Sequence, residues 1–414
     1  MLDDRIKLSL DDKSYFSDPY QLFDDLRRES PIYRSEVIGG WLITRHEDVD
    51  GILRNSETFS SKGRVTHLLN QLDPEIQPRI QLLHYHFARG LAHSDAPEHR
   101  RLRGLLAQAF TPRMIEGMRG RIRELAETII DQLPSEIDLI NDLFTPLPAL
   151  VVGELLGSTP EDIPDLIRWA HAINGLYEKG GRISPDKALH AEAMLTEMRN
   201  FVGRLITERQ SLKSVGKLTG DEDVLAALVM QEADALSDDE MLSTVVSLFV
   251  AGHETTTHLL GNGFFAILNR PEWVTHMKQN PSLIPLVVEE FARFDGSVPR
   301  SWRIPKVNVE ISGVKISAGE LVLPMLAAAN RDPAVFSNPQ MFNPHRETNK
   351  KHFAYGKGVH VCIGAPLARI EAQEIIAALL SRFSSIELRS GPSSLKWRED
   401  LALRGLLNLP VRLN

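Results

Sequence analysis

The sequence predicts a mainly α-helical chain with small β-sheets, an α+β arrangement with a β-rich N-terminal portion and a helix-rich remainder in one domain over 1–414. Three observations predict it. Apolar residues recur at helical spacing along most of the chain, punctuated by Pro and Gly. Period-two alternation is confined to a few short stretches. No internal repeat, low-complexity tract or linker divides the 414 residues, and 43% hydrophobic with 25% charged residues suits a sizeable buried core.

The elements follow in order. DPYQLFDDLRRES at 18–30 reads as an opening helix bounded by Pro19, and GGWLITR at 39–45 as a short strand. Residues 61–98 carry weak helix signals and read as a polar loop. His84, His86 and His93 crowd there, but their irregular spacing and the lack of a neighbouring cysteine argue against a metal site. Amphipathic helices are expected over 113–133, 190–213, 221–232 and 365–383. VNVEISGVKISAGELVLPM at 307–325 alternates apolar and polar residues, and its Gly313 and Gly319 turns predict hairpins.

The clearest helix starts at Ser237, where Ser237 and Glu240 form a capping-box pattern, and runs to Leu268 before Arg270 and Pro271 stop it. At 1.5 Å per residue it is about 48 Å long, enough to cross a domain. Its middle, VAGHETTTH, is poor helix material: Gly252 costs about 1 kcal/mol relative to Ala, and three successive threonines are stiff at the first side-chain torsion. Ala251 and Gly252 leave room beside the helix, and the Thr255 hydroxyl can bond back to the carbonyl of residue 251. Either another helix crosses closely over the small residues, or a flat ligand lies in a groove with Glu254 and Thr255 beside it.

A net charge of -8 argues against nucleic acid as the main partner. One cysteine excludes an intrachain disulfide and fits a reducing cytoplasm. The opening MLDDRIKLSLDD lacks the apolar core of a signal peptide, and no run approaches the roughly 18 apolar residues of a membrane span, so a cytoplasmic chain without a membrane anchor is expected.

That single cysteine, Cys362, lies in FAYGKGVHVCIG at 353–364. A nucleophile would want a base and an orienting partner, and although His360 is two residues away no thiol-hydrolase signature surrounds it. Zinc would want more ligands. A dinucleotide loop would want a third glycine at the right spacing. An axial thiolate to haem iron needs one sulfur only, and glycines let the backbone wrap closely around it. An inert buried cysteine is the alternative.

Extended to FAYGKGVHVCIGAPLAR, the stretch resembles the haem-binding loop of the cytochrome P-450 superfamily. AGHETT at 251–256 resembles that family's oxygen-binding segment, and Glu290 with Arg293 in VVEEFARF its E-x-x-R pair. DAPEHRRLR at 95–103, ANRDP at 329–333, FNPHR at 342–346 and LALRGLLNLPV at 401–411 are also similar to family segments, in family order. The resemblance covers nearly the whole chain and fits the soluble bacterial branch.

The resemblance implies haem b held between the long central helix and the cysteine loop, with Cys362 on the iron. It implies cofactor contacts from Ala251, Gly252, Phe353 and Gly356, propionate binding by His99, Arg103, Arg303 and His360, and a structural triad of Glu290, Arg293 and Arg346. Tyr355 stands where the family usually has Phe. The activity implied is a monooxygenase that inserts one oxygen atom of O2 into a small, largely apolar organic substrate, by hydroxylation or epoxidation in secondary metabolism. Thr255 and Glu254 would support proton delivery. A peroxide-driven peroxygenase and a non-enzymatic haem sensor or carrier are the alternatives. The substrate pocket is expected from 62–95, 165–195, 248–256, 296–301 and 402–406. The chain carries no flavin or iron–sulfur motif, so electrons are expected from a ferredoxin with its NAD(P)H-dependent reductase. Arg100, Arg101, Lys350, Lys351 and Lys357 would dock it, with Arg101 facing the partner.

Overall fold

A computed structural model describes residues 1–176, 182–231, 236–391, 394–399 and 401–414. The helix expected at 18–30, α1 (Tyr20–Glu29), follows Pro19 at its N-cap and buries Leu22, Phe23 and Leu26, but it does not open the chain, since helices over Leu2–Asp11 and Ser14–Ser17 precede it. Strands β1 (Ile32–Ser35) and β2 (Gly40–Ile43) pair antiparallel, with Ile32 opposite Ile43. Residues 61–98 are not the loop expected: they hold α2 (Arg64–Leu69) and α3 (Gln81–Arg89). Each buries only two side chains, Val65 with Leu69 and Leu83 with His86, which is too little periodicity to read from a sequence.

Helices α4 (Glu98–Ala109), α5 (Pro112–Ile130), α6 (Pro146–Leu155), α7 (Ile163–Asn174), α8 (Pro185–Ser214) and α9 (Val224–Met230) follow, with the short strand β3 (Glu136–Asp138) after α5. Position 232 of the expected 221–232 helix, and 177–181 of the 165–195 segment, lie outside the described residues.

The central helix α10 (Asp238–Leu268) has the expected start. Ser237 Oγ accepts from Glu240 N at 3.2 Å, and Glu240 Oε2 accepts from Ser237 N at 3.0 Å. It is buried on nearly every side because α6 and α11 (Ile284–Asp295) pack on it. A Cβ at Gly252 would lie 2.8 Å from Val152 Cγ2 of α6, and one at Gly263 would overlap the Phe291 ring of α11. Close helix crossings therefore account for both glycines.

In the 307–325 stretch, β4 (Val309–Ile311) and β5 (Val314–Ile316) form a hairpin whose two turn residues, Ser312 and Gly313, have φ of 45° and 82°. Gly319 also turns, at φ 85°, but not into a second hairpin. Strand β6 (Val322–Pro324) leaves that pair and lies parallel to β2, Leu323 beside Leu42, because its three residues are all buried and need a covered sheet. Helix α12 (Ala365–Arg382) follows the cysteine loop and packs on α5. Strand β8 (Pro410–Leu413) then pairs with both β3 and β7 (Ile386–Leu388). Among the described residues no helix is long and apolar enough to cross a membrane.

Candidate functional site

A cavity of about 410 Å³ lies between α10 and the cysteine loop. Ala251, Gly252 and Thr255 form its wall on α10, and Gly356, His360 and Cys362 its wall on the loop. Ala251 is exposed in the middle of the helix although His253 and Glu254 just after it are buried, because it faces this void. The Thr255 hydroxyl donates back to the Ala251 carbonyl at 2.8 Å. Gly252 thus serves both readings, since it borders the cavity and also sits under Val152.

The loop's shape follows from its glycines and anchors. Gly356 and Gly358 have φ of 69° and 71°, and a Cβ at Gly358 would overlap the Leu53 carbonyl. Cys362 N donates to Tyr355 O at 2.8 Å, closing the loop on itself. Burial pushes the Cys362 thiol up, while the Gly364 and Ala365 N–H groups and the Arg103 and Arg369 cations favour the thiolate. Behind the loop, Arg293 forks onto Glu290 at 2.6 and 2.7 Å and donates to the carbonyls of Asn330, Pro339 and Met341. Arg346 Nε reaches Glu290 at 3.4 Å. The triad ties α11 to the 330–346 segment. A second brace joins Glu289 of α11 to His352 at 3.1 Å and to Arg369 of α12.

Imidazoles and guanidiniums gather on one rim. The His99 and His360 rings lie 4.1 Å apart, and the Nε2 of each is buried with no partner among the described residues. Burial lowers His99 and holds His360 at about 3, so both are neutral near pH 7. Arg103 Nη1 donates to Val361 O at 2.6 Å, and Arg303 Nη1 to Trp302 O at 2.7 Å. Burial lowers Arg303 to about 10. His93 and Arg64, the latter over the Trp302 ring, line the same cavity. Sequence reasoning assigned neither to the rim, because their segment gave no helical register. This donor set fits a flat group that carries two carboxylates and offers a metal to sulfur.

Five expectations need correction. Phe353 does not reach the cavity: it is buried behind the loop, 4.3 Å from the His46 ring, with its N–H on Asn330 Oδ1 at 2.7 Å. Glu254 is not on the cavity wall either, because its position on α10 turns the carboxylate toward α7, where Oε1 lies 3.0 Å from His171 Nε2, and Oε2 lies 3.4 Å from Arg398 Nη1. Residues 402–406 stand away from the wall, held by Arg404 N on Ser297 O and by the buried Arg404–Asp295 pair, and the described part of 165–195 lines a separate surface groove. Arg101 is taken up by Glu240 in the acidic first turn of α10 rather than pointing to a partner. The Tyr355 hydroxyl is buried and so does not reach solvent, while Arg369 lies 4.2 Å above its ring.

Comparison with known proteins points to one family. Residues 183–404 match the family model described as Cytochrome P450. The polyketide biosynthesis cytochrome P450 PksS of Bacillus subtilis is 34% identical over 97% of both chains. The 6-deoxyerythronolide B hydroxylase of Saccharopolyspora erythraea is 30% identical over 98% of both. Among solved structures, P450BioI in complex with a hexadec-9Z-enoic acid-ligated acyl carrier protein superposes with a TM-score of 0.86 at 31% identity, covering 97% of this chain and all of that one.

Proposed function

Because this chain belongs to the cytochrome P450 family of oxygen-incorporating, haem b-dependent oxidoreductases, we propose that it inserts one oxygen atom of O2 into a small, largely apolar organic substrate, with Cys362 as the iron ligand. The observation that carries this reading is the placement of Cys362 across one cavity from Ala251, Gly252 and Thr255. Haem on the Cys362 thiolate supplies the activation of O2.

The chain's own groups divide the remaining work. His99 and His360 offer their unpartnered Nε2 atoms to the propionates, and Arg103 and Arg303 offset the negative charge. Gly356 lets the loop backbone approach the ring. Thr255 holds a hydroxyl at the cavity wall, where giving up its bond to the Ala251 carbonyl frees it to order water and pass a proton. Glu254, one residue away, is the acid behind it. Its carboxylate must rotate from His171 and Arg398 to reach the cavity, or act through water. The Thr255 alcohol at the cavity wall, with Glu254 next to it in sequence, favours O2 over peroxide, which brings its own protons.

The substrate space is walled by Leu91, Val152, Leu155, Leu248 and Val298, with Thr244 and Ser247 as polar points. Such a lining suits a mostly apolar molecule with a few polar groups, in keeping with the polyketide and fatty-acyl names among the relatives. Electrons come from a separate ferredoxin with its NAD(P)H-dependent reductase, docking on the exposed Arg100, Lys350 and Lys351 and on Lys357 within the loop. We treat 1–414 as one domain that works in the cytoplasm. Turnover of a binding substrate with a ferredoxin system, with peroxide alone, and with neither tests the reading. Product that depends on O2 and the ferredoxin system supports it, whereas product that forms with peroxide but not with O2 and the ferredoxin system contradicts it.

A further inference from the structure

We propose that His171, His253 and Glu254 form a binding site for one divalent transition-metal ion of the zinc class, joining α7 to α10 on the far side of α10 from Cys362. One donor atom of each lies within 4.8 Å of the others, and His171 Nε2 is 3.0 Å from Glu254 Oε1. His253 and Glu254 are adjacent on α10, while His171 reaches across from α7. Asn174 Nδ2 of α7 donates to Val250 O of α10 at 2.9 Å, so the two helices are already held in register at this point.

The decisive group is His253. It is fully buried, and its Nε2 has no partner among the described residues. Its Nδ1 lies 3.4 Å from the Phe249 carbonyl, an acceptor, which places the ring proton on Nδ1 and leaves the lone pair on Nε2. Ligating histidines adopt this arrangement, a backbone carbonyl fixing the tautomer that leaves the other nitrogen for the metal. Leaving a buried imidazole nitrogen unsatisfied is costly, so an ion in reach of Nε2 removes a penalty as well as gaining a bond.

The carboxylate is oriented in the same way. Arg398 lies near Oε2, and Oε1 is left toward the two imidazoles. Donors on a tetrahedral zinc ion stand about 3.3 Å apart, so the set must contract, and His171 can move because more than half of its side chain is exposed. Two imidazoles and one carboxylate select zinc-class ions over magnesium or calcium. A surface groove lined by Arg168, His171 and His190 brings solvent to the His171 side of the cluster, so water can supply a fourth ligand. The inference concerns binding alone and does not depend on the proton role assigned to Glu254.

The test is titration of the haem-loaded protein, first stripped with chelator, with zinc chloride by isothermal calorimetry. One equivalent should bind and raise the thermal midpoint. His171→Ala and His253→Gln should each weaken that equivalent by at least about tenfold, and His190→Ala should leave it unchanged. Should His253→Gln fail to hold haem, the exposed His171→Ala decides. Absence of a tight equivalent in the wild type, or its persistence in His171→Ala, overturns the site.

Discussion

Replacing Arg293 with Met should detach the support of the cysteine loop. Arg293 is fully buried and makes five hydrogen bonds, two to Glu290 and one each to the carbonyls of Asn330, Pro339 and Met341. Methionine fills much of the volume and removes every donor. The Met341 carbonyl keeps Arg346, but those of Asn330 and Pro339 lose this donor. Glu290 keeps the Asn343 N–H at 2.7 Å and a long contact of 3.4 Å to Arg346. Breaking a buried pair costs about 3–5 kcal/mol, and each stranded carbonyl about 1–3 kcal/mol. The contributions overlap, so a loss of about 4 kcal/mol is expected, roughly a thousandfold in the folding equilibrium. Denaturant titration followed by circular dichroism and by haem release measures it. Haem release should shift first, because the triad braces the loop rather than the remote sheets. Glu290→Gln combined with Arg293→Met should recover part of the loss by removing the stranded charge. A single Arg293→Met variant within about 1 kcal/mol of wild type would refute the reasoning.

Thr255→Ala should leave substrate affinity nearly unchanged while lowering product per electron consumed, with oxygen-dependent product formation down by about a hundredfold; titration and stoichiometry read the two separately, and unchanged stoichiometry would remove Thr255 from proton delivery. Burial alone would raise the Glu289 carboxyl, but hydrogen bonds from His352 and Arg369 hold it at about 2, against 4.5 ordinarily. A depressed folded-state pKa contributes stability above pH 4.5 that is lost as pH falls from there toward 2, up to about 3 kcal/mol, so Glu289→Gln should flatten the acid limb of a stability profile over that window. Reversing Lys350, Lys351 and Lys357 to Glu should slow reduction by ferredoxin at low salt and flatten its salt dependence; equal low-salt rates would place docking elsewhere.

Much of this was legible because the features are local. The capping box at Ser237, the hairpin at Ser312 and Gly313, and the threonine back-bond at Thr255 depend on residues within four positions of one another. The cysteine loop was legible through its glycines, whose positive φ is a property of the residue type. What stayed hidden depends on distant partners. Nothing in HETT shows that Glu254 turns toward His171 and Arg398, 83 residues before it and 144 after it. Gly319 signals a turn but not which strand receives the chain, and β6 goes to β2 because burial selects a covered sheet. Phe353 is placed by resemblance to a family position and Arg101 by its place opposite His99 and Arg103 on the helix, and their contacts with His46 and Glu240 belong to this chain's own packing.

Cys362 as the ligand to iron underlies the proposed chemistry. Its most direct test is the absorption spectrum of the reduced, carbon monoxide-bound protein, wild type beside Cys362→Ala. Sulfur ligation predicts a strongly red-shifted band in the wild type that is missing from a folded, haem-containing variant. The same band in both proteins, or its absence from properly folded wild type, would contradict the assignment.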